Sequence, residues 1–312
     1  MPLSKLFADR VHYFEELPFI EAYPLFDAPI SEYVSPDLIV EEKTVATKEG
    51  NVPVLVYKPI NVAGNLPTII WMHGGGFQQG TYTMNESNVV SRELANRGNY
   101  VVINVEYRLV NQQVKFPAPQ NDCMAVLDWV VANHEELNVD LDAIFVGGVS
   151  AGGCLAASMA VLDRDKGTNY IAGQLLNCPV LHKEIPALSE ELAQKMSEVP
   201  PQLGFTNELV SELNKFVLQS GDLKDLNPAW MPGENQNLSG LAPAQISNCE
   251  YDTLRASGEK YAEQLTAAGV QVEVLTQAGV PHAHLNRLPE DCPEVIETLN
   301  QIIKFVDRVT AK

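Results

Sequence analysis

The sequence predicts an α/β fold with a mostly parallel sheet. Two observations carry this: short, wholly apolar runs rich in β-branched residues recur along the chain, and helical periodicity fills the gaps between them. The chain has 312 residues, long for one simple domain and short for two large ones, so one core with an insertion is expected.

The elements follow in order. Residues 1–36 mix aromatic residues with prolines and read as an irregular N-terminal segment. Leu38–Glu42 and Val52–Tyr57 are strand-like, the second running into Lys58-Pro59. Pro67–Met72 (PTIIWM) and Tyr100–Val105 (YVVINV) are apolar throughout, as strands buried on both faces of a parallel sheet must be. Ala143–Val146, Gly173–Leu176 and Ala244–Ile246 are weaker runs of the same kind. Val270–Val274 alternates as V-Q-V-E-V, which suits a strand nearer the sheet edge. Val126, Trp129 and Val130 mark one helix. Tyr261 and Leu265 mark another, with Gly269 placed as its C-terminal cap. In the last helix Pro293 lies near the start, and Val295, Leu299, Ile302, Val306 and Val309 form one apolar stripe. Residues 182–228 carry helical spacing (Leu209, Leu213, Phe216) without a convincing strand. They interrupt the alternation and read as an inserted cap that the N-terminal segment completes. The expected division is 1–36 and 182–228 for the cap, 37–181 and 229–312 for the core.

Composition narrows the function. Hydrophobic residues make up 46% and charged residues 20%, which excludes a disordered chain or a collagen-like repeat. Acidic side chains number 40 against 21 basic, a net charge of -19. Such a surface repels phosphate backbones and anionic lipid, so neither a nucleic acid nor a membrane is expected as a partner. The five cysteines are scattered, with no CxxC pair and no zinc spacing, and read as buried small hydrophobes in a reducing compartment. Asp9, Glu15 and Glu16 interrupt any signal-like stretch, and no window approaches a membrane span, so a cytoplasmic location is expected.

The chemistry concentrates at glycine-rich strand ends. Gly148-Val149-Ser150-Ala151-Gly152 follows a strand and precedes a small-residue run. This G-x-S-x-G pattern presents a serine on a sharp strand-to-helix turn that only small residues permit. His73-Gly74-Gly75-Gly76-Phe77 follows PTIIWM directly. Its glycines expose backbone N–H groups which, placed beside Ser150, can serve an oxyanion together with the Ala151 amide. Neither cluster fits a phosphate loop. His73 itself reads as a residue that positions the glycines. A serine nucleophile needs a base and an orienting acid, in the chain order Ser, acid, His on this fold type. Asp252 and then His282 or His284 supply them after predicted strands, with Glu250 as a competing acid if the strand ends earlier. A metal-binding His-x-His pair is disfavoured because no third ligand lies nearby in sequence.

With these residues in place, the chain resembles the α/β-hydrolases of the hormone-sensitive lipase type, the bacterial carboxylesterase group. The resemblance rests on HGGGF at 73–77, Tyr107-Arg108-Leu109 with Phe116-Pro117-Ala118, GVSAGG at 148–153, EYDTLR at 250–255 and GVPH at 279–282. It implies an eight-stranded core, a mainly helical cap, and hydrolysis of short-chain acyl esters of small molecules without cofactor or metal. It carries over Ser150 as nucleophile, Asp252 as acid and His282 as base, with Gly74, Gly75 and Ala151 as oxyanion amides. It selects His282 because His284 falls where the family usually has Phe. Val149 stands where an acidic residue is usual, so an altered rate or pH response is expected. A homodimer through an edge strand is also a family habit. Two rival readings stay open: a hydrolase of amides, peptides or lactones through the same triad, and a small-ligand-binding protein of the kind that has lost the catalytic His, against which the joint presence of Ser150, Asp252 and His282 argues.

Overall fold

Apolar runs too short for helices satisfy their backbone groups by pairing. In the computed structural model, which describes residues 3–17, 19–61 and 64–311, they form one eight-stranded sheet. Residues 1, 2 and 18 of the expected N-terminal segment lie outside the described residues. The strands are β1 (Leu38–Thr47), β2 (Gly50–Pro59), β3 (Leu66–Met72), β4 (Val101–Val105), β5 (Val139–Val149), β6 (Ile171–Asn177), β7 (Ala244–Tyr251) and β8 (Val272–Pro281). Their spatial order is β1-β2-β4-β3-β5-β6-β7-β8. β1 pairs with β2 and β2 with β4 antiparallel, and the remaining neighbours are parallel. Each of the eight strands overlaps a run that the sequence marks as strand-like.

The helices run in chain order. α1 (Lys5–Ala8), α2 (Tyr13–Glu16) and α3 (Phe19–Ala22) are single turns; α4 (Asn85–Gly98), α5 (Ala118–Ala132) and α6 (His134–Leu137) lie between β3 and β5. α7 (Ala151–Lys166) follows β5, α8 (Glu190–Met196) and α9 (Asn207–Val217) lie between β6 and β7, and α10 (Arg255–Ala267) and α11 (Pro293–Thr310) complete the chain. Residues 182–228 contribute helix and turn but no strand among the described residues.

Side chains alternate across β3, and each face has its own core. Ile70 and Met72 join one cluster with Val126 and Leu127 of α5, Leu155 of α7 and Tyr261 of α10. Ile69 and Trp71 join the other with Leu94 of α4, Leu299 and Ile302 of α11, and Phe7 and Phe14 of the N-terminal segment. β8 is the sheet edge, which explains its alternating sequence. It begins at Val272, two residues later than expected, because the helix cap takes the preceding backbone: Val270 donates to Leu265 and Gly269 to Thr266. All five cysteines are buried and free. No helix among the described residues is long and apolar enough to cross a membrane.

Candidate active site

The predicted site residues leave the carboxyl ends of parallel strands, the usual place for ligands in such sheets. His73 follows β3, Ser150 follows β5, Asp252 follows β7 and His282 follows β8.

Ser150 adopts φ 56° and ψ -113°, a backbone that non-glycine residues seldom adopt. The surroundings hold it there. Its N–H donates to the Asn177 carbonyl at 2.8 Å, and its carbonyl accepts from Cys154 in the first turn of α7 at 3.1 Å. The second motif glycine is needed for close approach. A Cβ at Gly152 would lie 2.1 Å from the Met72 carbonyl oxygen and 2.6 Å from that of His73. The elbow is thus pressed against the end of β3, bringing the serine motif beside the glycine triplet.

Asp252 and His282 meet as expected, with Asp252 Oδ2 2.6 Å from His282 Nδ1. The other carboxylate oxygen accepts the Leu254 N–H at 2.9 Å, so its direction is held by the turn that follows β7. Asp252 is fully buried and His282 is 6% exposed, which strengthens their interaction. Burial acts against the imidazolium, but the Cys178 sulfur and the Asp252 carboxylate outweigh it and raise the His282 pKa well above its ordinary value. Glu250 is not a competing acid: its carboxylate accepts the Gly279 N–H and pairs with Lys195. His284 is packed neutral in the core, with Nδ1 3.4 Å from Cys249 Sγ and Nε2 2.9 Å from Thr298 Oγ1. Burial and the neighbouring His282 push its pKa down to about 3. No hydrogen bond joins Ser150 Oγ to His282 among the described residues; the ring instead meets Phe205 edge-on at 4.7 Å and Tyr23 at 6.1 Å.

The glycine loop corrects one expectation. The Gly74 N–H is already taken, donating to Glu86 Oε1 at 2.6 Å, so it is not available to an oxyanion. The next two amides differ. In a planar trans peptide the N–H points opposite to the C=O, so a pinned carbonyl aims the following N–H. His73 Nδ1 holds the Gly74 carbonyl at 2.7 Å, and the Gly75 carbonyl accepts from Gln78 and Gln79 at 3.1 and 2.9 Å. The amides of Gly75 and Gly76 face away from these contacts, and among the described residues neither has an acceptor. Gly75 has φ +103° and approaches the Gln79 carbonyl too closely for any Cβ. His73 acts here as a neutral prop, its pKa pushed down to about 4 by burial, with Tyr107 stacked on it at 4.2 Å. The Tyr107 hydroxyl donates to the His73 carbonyl at 2.8 Å. That contact explains why the YRL stretch accompanies HGGGF, while Arg108 anchors it through a bidentate pair with buried Asp122.

Sequence reading missed Glu86, Asn286 and Cys178. Only the acidic residue in the first turn of the helix after the glycine loop hinted at Glu86. For metals, the Cys178, Cys249 and Asp252 ligand atoms lie within 4.8 Å of one another, but both Asp252 oxygens already have partners.

Residues 69–286 match the family model described as alpha/beta hydrolase fold, and the chain belongs to that family, in its hormone-sensitive lipase branch. Carboxylesterase NlhH of Mycobacterium tuberculosis is 35% identical over 257 residues, covering 80% of this chain and 77% of the relative. An arylesterase of Saccharolobus solfataricus is 29% identical over 297 residues, covering 94% and 92%. Among solved structures, a hyperthermophilic esterase from the archaeon Pyrobaculum calidifontis superposes over the whole of both chains with a TM-score of 0.84 at 29% identity. The protein is accordingly an enzyme, a carboxylic ester hydrolase.

Proposed function

We propose that the enzyme is a serine carboxylesterase for short acyl chains, working through Ser150, His282 and Asp252 and an acyl-enzyme. The observation that carries this reading is the buried 2.6 Å pair between Asp252 and His282, together with an elbow serine in a strained backbone at the same carboxyl end of the sheet. Ser150 attacks the ester carbonyl while His282 Nε2 takes its proton. Asp252 holds the Nδ1–H tautomer and stabilises the imidazolium. The Ser150–His282 contact closes as substrate binds, as such bonds commonly do. The amides of Ala151, Gly75 and Gly76 receive the oxyanion; Gly76 takes the place first expected of Gly74. The alcohol leaves with the proton from His282, and water repeats the cycle on the acyl-enzyme.

Residues 182–228 and the N-terminal segment act as the cap that limits acyl length. Phe205 and Tyr23 stand against His282, and Leu213 of α9 lies against Gly76, 2.8 Å from where a Cβ there would sit. The Tyr23 hydroxyl donates to the Leu203 carbonyl at 3.2 Å, which ties the two cap segments together. Pairing of two copies would use the edge strand β8, where Val274 is 44% exposed.

Hydrolysis of p-nitrophenyl acetate, butyrate and decanoate by wild type and Ser150→Ala tests the reading. Loss of nearly all turnover in the variant, with acetate or butyrate preferred by wild type, is expected. Equal turnover by both proteins would remove Ser150 as nucleophile. Matched anilides run in parallel separate esterase from amidase action.

A further inference from the structure

Glu86 is 2% exposed, and no cationic side chain pairs with it among the described residues. An isolated buried carboxyl is costly, and burial pushes its pKa up to about 8. Its contacts converge on the site. Oε1 accepts the Gly74 N–H at 2.6 Å and Oε2 accepts Asn286 Nδ2 at 3.0 Å. The Glu86 backbone N–H donates to Asn286 Oδ1 at 3.1 Å, which fixes the amide so that its NH2 faces the carboxylate. Asn286 lies four residues beyond His282. The opposite edge of the His73–Gly74 peptide is held by Tyr107, so both its polar groups are pinned. A Cβ at Gly74 would sit 2.6 Å from Glu86 Oε1 and 3.2 Å from the Val149 carbonyl oxygen, so the loop is confined between the carboxylate and the serine elbow.

We propose that Glu86 is a positioning residue for ester hydrolysis: through Gly74 it sets the loop carrying the Gly75 and Gly76 amides, and through Asn286 it ties that loop to the one carrying His282. The inference rests on the oxyanion reading given above. One pair of side chains thus keeps the donors that stabilise the tetrahedral intermediate in register with the base that forms it.

The test uses Glu86→Gln and the swapped pair Glu86→Gln with Asn286→Asp, assayed on p-nitrophenyl butyrate beside Ser150→Ala, with thermal unfolding of each. In Glu86→Gln the new NH2 faces Asn286 Nδ2, donor against donor. In the swap, the carboxylate introduced by Asn286→Asp accepts from both the new glutamine NH2 and the backbone N–H of position 86. Glu86→Gln is expected to lower kcat by roughly tenfold to a thousandfold, up to the full cost of losing an oxyanion donor (about a hundredfold to a thousandfold), with KM little changed. The swap is expected to recover most of that loss. A folded Glu86→Gln enzyme with wild-type kcat, or a folded swap that recovers nothing, overturns the assignment. Failure of both to fold overturns it too, because the pair would then serve folding. Undiminished activity in Ser150→Ala instead sinks the serine reading itself, whatever Glu86 does.

Discussion

His282 is held between opposing influences: burial favours the neutral ring, while Asp252 and Cys178 favour the imidazolium and prevail. A base must be neutral to take the Ser150 proton. The acid limb of kcat/KM therefore lies above the ordinary imidazole value of about 6.5, and the enzyme is expected to slow as pH falls through neutrality. Cys178→Ala removes one of the two groups that hold the charge, so its limb moves to lower pH. A pH–rate series on both proteins checks this; an unmoved or upward-shifted limb would mean that Cys178 does not act on the base. Val149 is fully buried beside the elbow and adds no charge to this balance.

The elements divide the work between a rigid sheet and a helical cover. The four parallel strands β3, β5, β7 and β8 deliver the site residues, and their ladders leave little freedom to the turns that follow. α9 lies above the glycine loop through Leu213, which is packed beside Gly76. Leu213→Ala is expected to open space there and raise the ratio of decanoate to butyrate kcat/KM by about tenfold, within the range that methylene-sized changes in an apolar pocket produce. An unchanged ratio would place the acyl chain elsewhere. α4 shows the limit of pattern reading. Its buried residues include Asn85, Glu86, Ser87, Ser91 and Glu93, so polar side chains occupy the inward face where periodicity looks for apolar ones.

Across the whole molecule, buried titrating groups make stability depend on pH. Burial raises Glu86 from 4.5 to about 8 and Asp27 from 3.8 to about 7. A raised folded pKa gives stability that is full below the unfolded value and is lost as pH rises through the folded one. His73 and His284, lowered to about 4 and about 3, act oppositely: their contribution is present above 6.5 and lost as pH falls. Between about 4.5 and 6.5 the two kinds offset each other. His282 and Cys178 shift in opposite senses and also offset. From about pH 6.5 to 8 the carboxyls act alone, so stability falls as pH rises, with Glu86 contributing on the order of 2 kcal/mol. Calorimetry at about pH 6.5, 7.5 and 8.5 should show a declining Tm, and Glu86→Gln should flatten the slope. A Tm that rises over this range would contradict the argument.

The alternation of strands and helices is legible in the chain alone, because strands buried on both faces must be apolar throughout and Pro67–Met72 can serve as little else. The candidates Ser150, Asp252 and His282 are legible too, because the motifs around them are contiguous and the strand-to-helix turn dictates small residues at fixed offsets. Which glycine amides are free emerges only when the chain folds, since Gly74 is claimed by a carboxylate twelve residues away. Folding also brings Asn286 to Glu86, 200 residues apart in sequence. One cause underlies both cases. Apolar burial and turn geometry are local demands that leave a local pattern, whereas a buried polar group is satisfied by whichever partner the fold brings to it.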